Sequence, residues 1–242
     1  MTVTRRERFF EYFAQQLARI ELLDAAELKI HKKMLYVALI DALAGVVYPA
    51  SGNRERFTAV VRQFGGWADS ERISVPHLAR ALRLNPDPAY NTIREKVQKE
   101  LSSWSNGDLI PITRDIEAGI VGTHWPKDKH LANPVTGTPW AHLKHLELLY
   151  SYRNALVHGF RPLGSDFEFT DDDAPFYIST YTMKAQGTFA EVDYWDLIYP
   201  SNFFRTLATS VLSGVKAHIE QIEADPIEVL KGGKYWVQAL NQ

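Results

Sequence analysis

The stretch that decides the fold of this chain lies at residues 138–159 and reads TPWAHLKHLELLYSYRNALVHG. Thr138 and Pro139 favour the start of a helix, and Gly159 is typical of the position just after one. Between them, leucine and aromatic residues recur every three or four positions, which is the period of a helix with one apolar face. The pattern predicts a single long helix over residues 138–158, packed against other helices.

One charged residue, Arg153, falls in the middle of the apolar stripe of this predicted helix. The apolar positions of the stripe are Leu143, Leu146, Leu149, Tyr150, Leu156 and Val157. A guanidinium stays protonated in proteins, so at this position it needs an anion or a wet surface. Glu147, Asn154 and His158 lie along one edge of the stripe. His158 also occupies the last turn, where the helix dipole favours an imidazolium, so a cation, an amide and a titratable ring converge there.

Asp41 offers a purely structural explanation for Arg153. It is the only charged residue in the apolar run at 34–48, and a buried carboxylate needs a cation. Asp41 and Arg153 can form a buried ion pair between two core helices, with His158 acting only as a helix cap. Helix periodicity leaves this alternative open beside a functional one.

The sequence RNALVHG at residues 153–159 resembles the signature of HEPN domains (higher eukaryotes and prokaryotes nucleotide-binding). In that signature, an arginine with a polar neighbour, often asparagine, is followed a few residues later by a histidine. Here the motif also ends a long predicted helix in a mainly helical chain. The resemblance covers the helices predicted within 4–47, 138–159 and 201–222, and it implies an α-helical bundle that forms a homodimer.

The resemblance also implies an activity, because active HEPN domains are metal-independent ribonucleases with a cleft shared by two copies. It implies that His158 takes the proton from a ribose 2′-OH, that Arg153 holds the scissile phosphate, and that Asn154 orients the phosphate or the histidine. The implied products are a 2′,3′-cyclic phosphate and a 5′-hydroxyl, formed without a metal or another cofactor. Asp41 and Glu147 are expected to orient these groups or to be their structural partners.

Two other functions remain open within the same resemblance. Many HEPN domains have lost catalysis and bind RNA or nucleotides without cleaving them, and others serve as dimerisation or interaction modules. Such ribonucleases often act in phage defence or as toxins, so a neutralising partner is also expected. One departure from some nucleotide-transfer-associated relatives, which carry His-x-Tyr, is the sequence His-Gly-Phe at 158–160, which excludes modification of a tyrosine there.

The rest of the chain predicts a mainly α-helical single domain over residues 1–242 with a small β-hairpin. Residues 105–137 are predicted to be a loop or insertion, and residues 160–198 are predicted to contain an acidic loop followed by the hairpin. Other helices are predicted at residues 4–23, 25–47, 53–64, 74–84, 88–104 and 201–222. Strands are predicted at residues 109–113, 176–182 and 189–195.

The composition excludes several classes of function. With 45% hydrophobic and 23% charged residues, it is that of an ordinary globular protein. No apolar run approaches the roughly 18 residues of a membrane helix, and the N-terminus lacks the features of a signal peptide, so a cytoplasmic location is expected. The absence of cysteine excludes disulfides and thiolate sites. A net charge of −2 argues against a wholly basic nucleic-acid coat protein, but not against an RNA-binding cleft.

Three further patterns suggest other sites. His142 and His145 can bind zinc together with His124 or His130, although no carboxylate accompanies them. Residues 123–130 mix basic and aromatic side chains, as in a single-strand-binding loop or a loop packed on its tryptophan.

A helix-turn-helix fragment is the third pattern. It is suggested by residues 74–84, with Arg80 and Arg83 exposed, but the preceding helix is poorly placed for that motif. The acidic residues within 166–173 lack the regular spacing and the glycine of a calcium loop, so a solvated loop is expected there.

Overall fold

The computed structural model describes residues 4–23, 28–126, 139–164, 168, 172–183 and 189–229. They belong to two compact units, of which the first comprises Met1–Trp67 with Phe204–Gln242 and the second comprises Ala68–Phe203. Helices make up most of the first unit, and the second combines helices with all the strands of the described residues. The predicted class, mainly α-helical with a small β-hairpin, is confirmed.

The helices in chain order are α1 (Arg5–Glu21), α2 (Lys29–Val47), α3 (Asn53–Phe64), α4 (Val75–Arg83), α5 (Asn91–Leu101), α6 (Ala118–His124), α7 (His145–Gly159), α8 (Ser201–Gln221) and α9 (Pro226–Val229). The strands are β1 (Arg72–Ile73), β2 (Ile110–Pro111), β3 (Ile116–Glu117), β4 (Phe176–Met183) and β5 (Phe189–Ile198). No helix in the described part of the chain is long and apolar enough to cross a membrane.

The first unit is a helical core centred on α2. Thr4 starts α1 with a capping box, in which its Oγ1 accepts from the backbone N–H of Glu7 at 3.1 Å. One face of α2 is fully buried, with Tyr36, Ile40 and Leu43 at 0% exposure. The apolar run at 34–48 predicts burial on almost every side, but Leu35 is 45% exposed, so the opposite face of the helix is not covered. Close packing of α3 and α8 depends on Gly214, because a Cβ there would lie 2.8 Å from the Cβ of Phe64.

The second unit combines α4–α7 with two small antiparallel sheets. The larger sheet has the order β2-β4-β5, and β4 and β5 form the hairpin predicted from sequence. In its register, Thr180 pairs with Tyr194 and Ile178 pairs with Asp196. The smaller sheet pairs β1 with β3. Part of the predicted insertion at 105–137 is therefore ordered as β2, β3 and α6, whereas residues 127–137 lie outside the described residues.

The helix predicted over residues 138–158 starts later than predicted, since α7 begins only at His145. Residues Trp140–Leu143 form a 3-10 turn, and Lys144 is extended and bridges to Ile73. The carbonyl of Leu143 accepts from the N–H of Ser74 at 3.0 Å, so contacts with β1 take the hydrogen bonds that a longer helix needs. Thr138 lies outside the described residues.

The C-terminal end of α7 also differs from the prediction. Gly159 is the last residue of the helix rather than the residue after it. The left-handed conformation of the cap is taken by Phe160, at φ 50° and ψ 33°. A left-handed conformation is unfavourable for a residue with a Cβ, so this turn is locally strained.

The acidic segment at 166–173 is not simply a solvated loop, which corrects the prediction for Glu168. Both carboxylate oxygens of Glu168 accept hydrogen bonds from Ser201, one from its backbone N–H and one from its Oγ, each at 2.8 Å. Because Ser201 is the first residue of α8, this carboxylate caps the start of that helix and lies at the positive end of its dipole. Asp166 and Asp171 lie outside the described residues.

Candidate functional site

Helix α7 has one buried face and one polar face. Leu146, Leu149 and Leu156 are fully buried on the first. On the opposite side, Glu147 and Asn154 are half-buried, and Ser151 and His158 are exposed. These four polar residues recur at intervals of three and four, so they form one continuous stripe, which we call the polar stripe of α7.

Arg153 belongs to the buried face but its guanidinium reaches the polar stripe. The residue is 7% exposed, as its position in the apolar stripe predicts. Its Nη1 donates to Oδ1 of Asn154 at 2.9 Å, and its Cζ lies 5.8 Å from the centroid of the Tyr150 ring. The ring face attracts the cation, and the amide fixes one edge of the guanidinium fork. The structure thus brings Arg153 and Asn154 together.

His158 lies at the exposed end of the polar stripe, in the last turn of α7. It follows Asn154 by four residues and therefore shares its face of the helix. It follows Arg153 by five residues, which separates the two Cα–Cβ directions by about 140° around the axis. Asn154 and His158 therefore lie on the same face of α7 within one chain. Arg153 lies on another face and reaches Asn154 with its guanidinium group.

The two orienting residues predicted from sequence lie in different units. Glu147 is in the first turn of α7, half-buried, and its carbonyl accepts from Oγ of Ser151 at 3.1 Å. Asp41 is half-buried on α2 in the first unit. The ion pair between Asp41 and Arg153 stays a prediction.

A buried polar network next to α7 was missed by sequence reasoning. Its centre is Asp115, whose Oδ2 lies 2.5 Å from Nε2 of His145 and 2.7 Å from Oη of Tyr177. Its Oδ1 accepts from the N–H of Val75 at 2.8 Å, so the carboxylate also caps the start of α4. His145 and Tyr177 are fully buried and Asp115 is 3% exposed. The group spans residues far apart in the chain, and no local pattern marks it.

The network continues from Tyr177 to the surface of a cavity. Oη of Tyr177 lies 2.7 Å from Oγ of Ser74, and that oxygen lies 2.7 Å from Nδ1 of His77. Tyr177 has one hydroxyl proton, and the Asp115 carboxylate is the stronger acceptor for it. Ser74 then donates to Tyr177, and His77 donates to Ser74 from Nδ1. This order, assigned from the hydrogen bonds, leaves Nε2 of His77 as an acceptor.

Burial shifts the pKa values of two groups in this network. Burial raises the pKa of Tyr177 well above its usual value, and the nearby Asp115 carboxylate adds to the effect. Burial also lowers the pKa of His77 to about 4, with a further contribution from His145. His77 is therefore neutral at physiological pH, and one of its ring nitrogens stays free of a proton.

His77 borders a cavity of about 730 Å³ between α4, α5, α7 and β5. Arg80 and Arg83 of α4 line it, and both are exposed, as sequence reasoning expected of them. Ser151 of the polar stripe lines it too, and so does the loop that follows α7. The cavity itself was not predicted, because it is formed by elements that meet only in the folded chain.

The structure describes some of the residues that were considered for a zinc site and for a single-strand-binding loop. His145 is bound to Asp115 in the core, and His124 has its Nδ1 2.8 Å from the carbonyl oxygen of Ile120. Among the described residues, no three His, Asp or Glu side chains are grouped to hold a metal ion. Trp125 is 5% exposed and packs edge-on against Tyr90, as in a packed loop. His130 lies outside the described residues.

Comparisons with known proteins bring no relative to this site: no family model, no curated protein and no solved structure matches the chain. The resemblance to HEPN domains therefore rests on the sequence of residues 153–159 and its place at the end of α7.

Proposed function

We propose that the protein is a metal-independent RNA endonuclease of the HEPN type, with Arg153, Asn154 and His158 as its catalytic residues and with an active site in a homodimer cleft. The observation that carries the proposal is the hydrogen bond from Nη1 of Arg153 to Oδ1 of Asn154, one helical turn from exposed His158. It supports a cation, an amide and an imidazole acting at one place on the surface.

The proposed reaction is cleavage by the ribose 2′-OH. A ring nitrogen of His158 takes the proton from this hydroxyl, and the 2′ oxygen forms a bond to the adjacent phosphorus. The bond between phosphorus and the 5′ oxygen breaks, and the leaving oxygen keeps the electron pair and takes a proton from water. The products are a 2′,3′-cyclic phosphate and a 5′-hydroxyl.

Arg153 and Asn154 stabilise the phosphorane-like transition state in this proposal. A guanidinium has five N–H donors, and the bond to Asn154 uses one of them. In this proposal the guanidinium also donates to phosphate oxygens, where negative charge develops. The amide of Asn154 holds the guanidinium towards the polar stripe, and Glu147 on the same stripe is proposed to orient the substrate-facing groups.

Exposed apolar side chains beside His158 support the homodimer. Phe160 is 71% exposed and Leu163 is 41% exposed, and both follow the catalytic helix directly. An exposed phenylalanine next to a polar site is typical of a protein interface, where aromatic residues act as anchors. A second copy that packs on Phe160 buries this ring and brings two sets of Arg153 and His158 close to each other.

We place this activity in the cytoplasm, in phage defence or as a toxin held in check by a neutralising partner. A second candidate, a nucleotide-binding module that does not cleave RNA, is favoured by the cavity with Arg80 and Arg83.

The test compares two histidine variants of the full chain. With labelled single-stranded RNA in excess chelator, His158→Ala is expected to reduce the cleavage rate at least about 100-fold, because it removes the general base. His142→Ala removes another exposed histidine from the same unit and is expected to cleave at the wild-type rate. Both variants should keep the wild-type melting temperature within about 2 °C. Equal activity of the two variants overturns the proposal.

A further inference from the structure

The cavity bordered by α4, α5, α7 and β5 lies within the second unit and has the size of a ligand site. Its volume of about 730 Å³ falls in the range of roughly 300–1,000 Å³ that such sites occupy. Cations, uncharged hydrogen-bonding groups and aromatic or aliphatic side chains all contribute to its walls. This combination suits a ligand that has an anionic part beside a flat ring.

The anionic part is indicated by Arg80 and Arg83, which line the cavity from the last turn of α4. Both residues are exposed, and within the described part of the chain neither guanidinium makes an ion pair or a hydrogen bond. Like charges three residues apart on a helix repel each other, and a bound phosphate relieves this repulsion. Each guanidinium has five N–H donors that can bind phosphate oxygens in pairs. The α4 side of the cavity is therefore suited to a phosphate group.

The flat ring is indicated by Tyr194, which lines the cavity from β5. Its side chain is 53% exposed, and it stacks on no other ring among the residues that the structure describes. The next residue, Trp195, is already engaged, since it packs edge-on against Trp104 with the ring centroids 5.2 Å apart. An exposed aromatic face can stack on any nucleic-acid base, because every base has a π-face. The β5 side of the cavity can therefore hold one base.

The other polar groups of the cavity do not select one base over another. Gln98 is exposed, and its amide can both donate and accept a hydrogen bond, so it can match either kind of base edge. His77 is neutral at physiological pH and adds no charge. Asp196 also lines the cavity, but it is 7% exposed and already has an interaction partner, so its carboxylate is not assigned to the ligand. The cavity is therefore suited to any base whose face is free.

We infer that this cavity is a subsite for one unpaired nucleotide of a single-stranded RNA, with a phosphate on Arg80 and Arg83 and the base stacked on Tyr194. In taking RNA as the ligand, the inference rests on the proposed function. A base within a duplex is covered on both faces by its neighbours in the stack, whereas an unpaired base can be turned out onto an aromatic side chain. The subsite therefore selects single-stranded RNA over a duplex, without selecting a sequence.

The polar stripe of α7 connects the cavity to His158. Ser151 belongs both to the cavity wall and to this stripe. His158 lies seven residues further along, which is nearly two full turns and about 10 Å along the axis, so both residues point to the same side of the helix. Phosphates of one strand follow each other every ~3.4 Å along a duplex and more widely in an extended strand, so roughly two or three nucleotides span this distance. A strand held in the cavity can therefore reach His158 of the same chain.

The inference is tested by equilibrium binding of labelled RNA to the full-length protein, measured by fluorescence anisotropy. The probe is a twelve-nucleotide 2′-O-methyl RNA without self-complementarity, which resists cleavage because it has no free 2′-OH. We expect the single strand to bind at least about tenfold more tightly than the same strand in a duplex, and at least about tenfold more tightly than AMP, GMP, CMP or UMP. A duplex that binds as tightly as the strand overturns the inference. A mononucleotide that binds as tightly as the strand overturns it too, because the ligand is then a free nucleotide.

Two double variants with the same change of charge test the phosphate contact. Arg80→Ala with Arg83→Ala is expected to weaken binding of the strand at least about tenfold and to reduce the slope of log Kd against log salt by about 0.7, the value for one phosphate contact in a single strand. Lys96→Ala with Lys99→Ala removes two exposed cations that do not line the cavity, and it should change the affinity less than about threefold. Wild-type melting temperatures establish that both variants fold. Equal weakening by the two variants overturns the inference, since binding then depends on net charge alone.

Three tyrosine variants test the stacked base. Tyr194→Leu is expected to weaken binding of the strand at least about fivefold, whereas Tyr194→Phe keeps the ring and should stay within about twofold of the wild type. Tyr12→Leu removes a ring that is 57% exposed on α1 in the first unit, and it should bind as the wild type does. Wild-type affinity of Tyr194→Leu overturns the inference, because no base is then stacked on this ring.

The outcome for this subsite is separable from the outcome for the proposed function. His158→Ala is expected to bind the strand with wild-type affinity, because the histidine lies outside the cavity. A protein that cleaves RNA but binds the strand equally well without Arg80, Arg83 and the ring of Tyr194 overturns this inference alone. A protein that binds the strand through these residues but does not cleave RNA overturns the ribonuclease alone.

Discussion

Arg153 illustrates what helix periodicity predicts for a single residue and what it does not. The helical period of the sequence predicts that Arg153 lies in the apolar stripe, and in the structure this residue is 7% exposed. One partner of its guanidinium is Asn154, the next residue in the chain. A long guanidinium side chain can bend around the helix to a neighbouring face, so spacing rules that consider only Cβ directions do not find this contact.

The network of Asp115, His145, Tyr177, Ser74 and His77 is the part of the second unit that sequence reasoning could not reach. Asp115 and Tyr177 come from separate segments of the chain, and each alone is an ordinary polar residue. Only the pairing of β2 with β4 and the packing of α7 bring them together. Ser74 and His77 are three residues apart at the start of a short helix, but this pair alone does not point to Asp115, His145 or Tyr177.

His77 gives a pH-dependent prediction at this scale. Its pKa falls from 6.5 to about 4 on folding, so between these values the unfolded chain binds a proton that the folded chain does not. The free energy of unfolding is therefore expected to fall as the pH is lowered from 6.5 to 4, by up to about 3 kcal/mol. Urea unfolding of the wild type and of His77→Asn, measured at pH 7 and pH 4.5, isolates this contribution.

The expected result is a smaller loss of stability in His77→Asn, since this variant cannot take up the proton. His142→Asn, at an exposed position, is the control and should follow the wild type. If the free energy of unfolding depends on pH in the same way for all three proteins, protonation of His77 is not coupled to folding.

At the scale of secondary-structure elements, hydrogen bonds to neighbouring segments explain why the observed start of α7 differs from the predicted one. The hairpin of β4 and β5 was predicted from two runs rich in strand-forming residues on either side of residues 184–187, and it is present. The start of α7 was predicted too early, because residues 138–144 have a helical pattern but Lys144 bridges to β1. The apolar pattern of a segment cannot show which neighbouring strand will take the hydrogen bonds of its backbone.

The contact between Glu168 and Ser201 gives a prediction for the start of α8. Glu168→Ala removes two hydrogen bonds and one favourable charge at the first turn, so the free energy of unfolding is expected to fall by about 1–2 kcal/mol. Asp173→Ala removes an exposed acid from the same segment and should change it by less than about 0.5 kcal/mol. Thermal denaturation compares the two, and equal melting temperatures would contradict the capping role.

At the scale of the whole molecule, the mainly α-helical class was predictable because most segments carry strong helical periodicity. The division into two compact units was not, since residues 201–222 read as one continuous helix although α8 begins in one unit and continues in the other. The cavity was also beyond prediction, as its walls come from four elements. Which side chains share one face of a helix can be predicted from their spacing, as with Asn154 and His158 on α7.

The proposed homodimer gives a prediction for Phe160. Phe160→Asp places a charge where an aromatic ring is 71% exposed, so it should weaken association of two copies without changing the folding of one. Analytical ultracentrifugation of the wild type is expected to show a dimer, and the variant is expected to sediment as a monomer with less RNA cleavage. Tyr12→Asp, at a ring that is 57% exposed on α1, is the control and should remain dimeric. A monomeric wild type would contradict the shared cleft.

The central claim is that His158 cleaves RNA without a metal. The most direct measurement incubates 5′-labelled single-stranded RNA with the purified full-length protein in excess chelator and determines the chemistry of the product ends. We predict 2′,3′-cyclic phosphates and 5′-hydroxyls from the wild type and from His142→Ala, and a rate at least about 100-fold lower from His158→Ala. Intact RNA with the wild type, or the same products at the same rate from His158→Ala, would contradict the account.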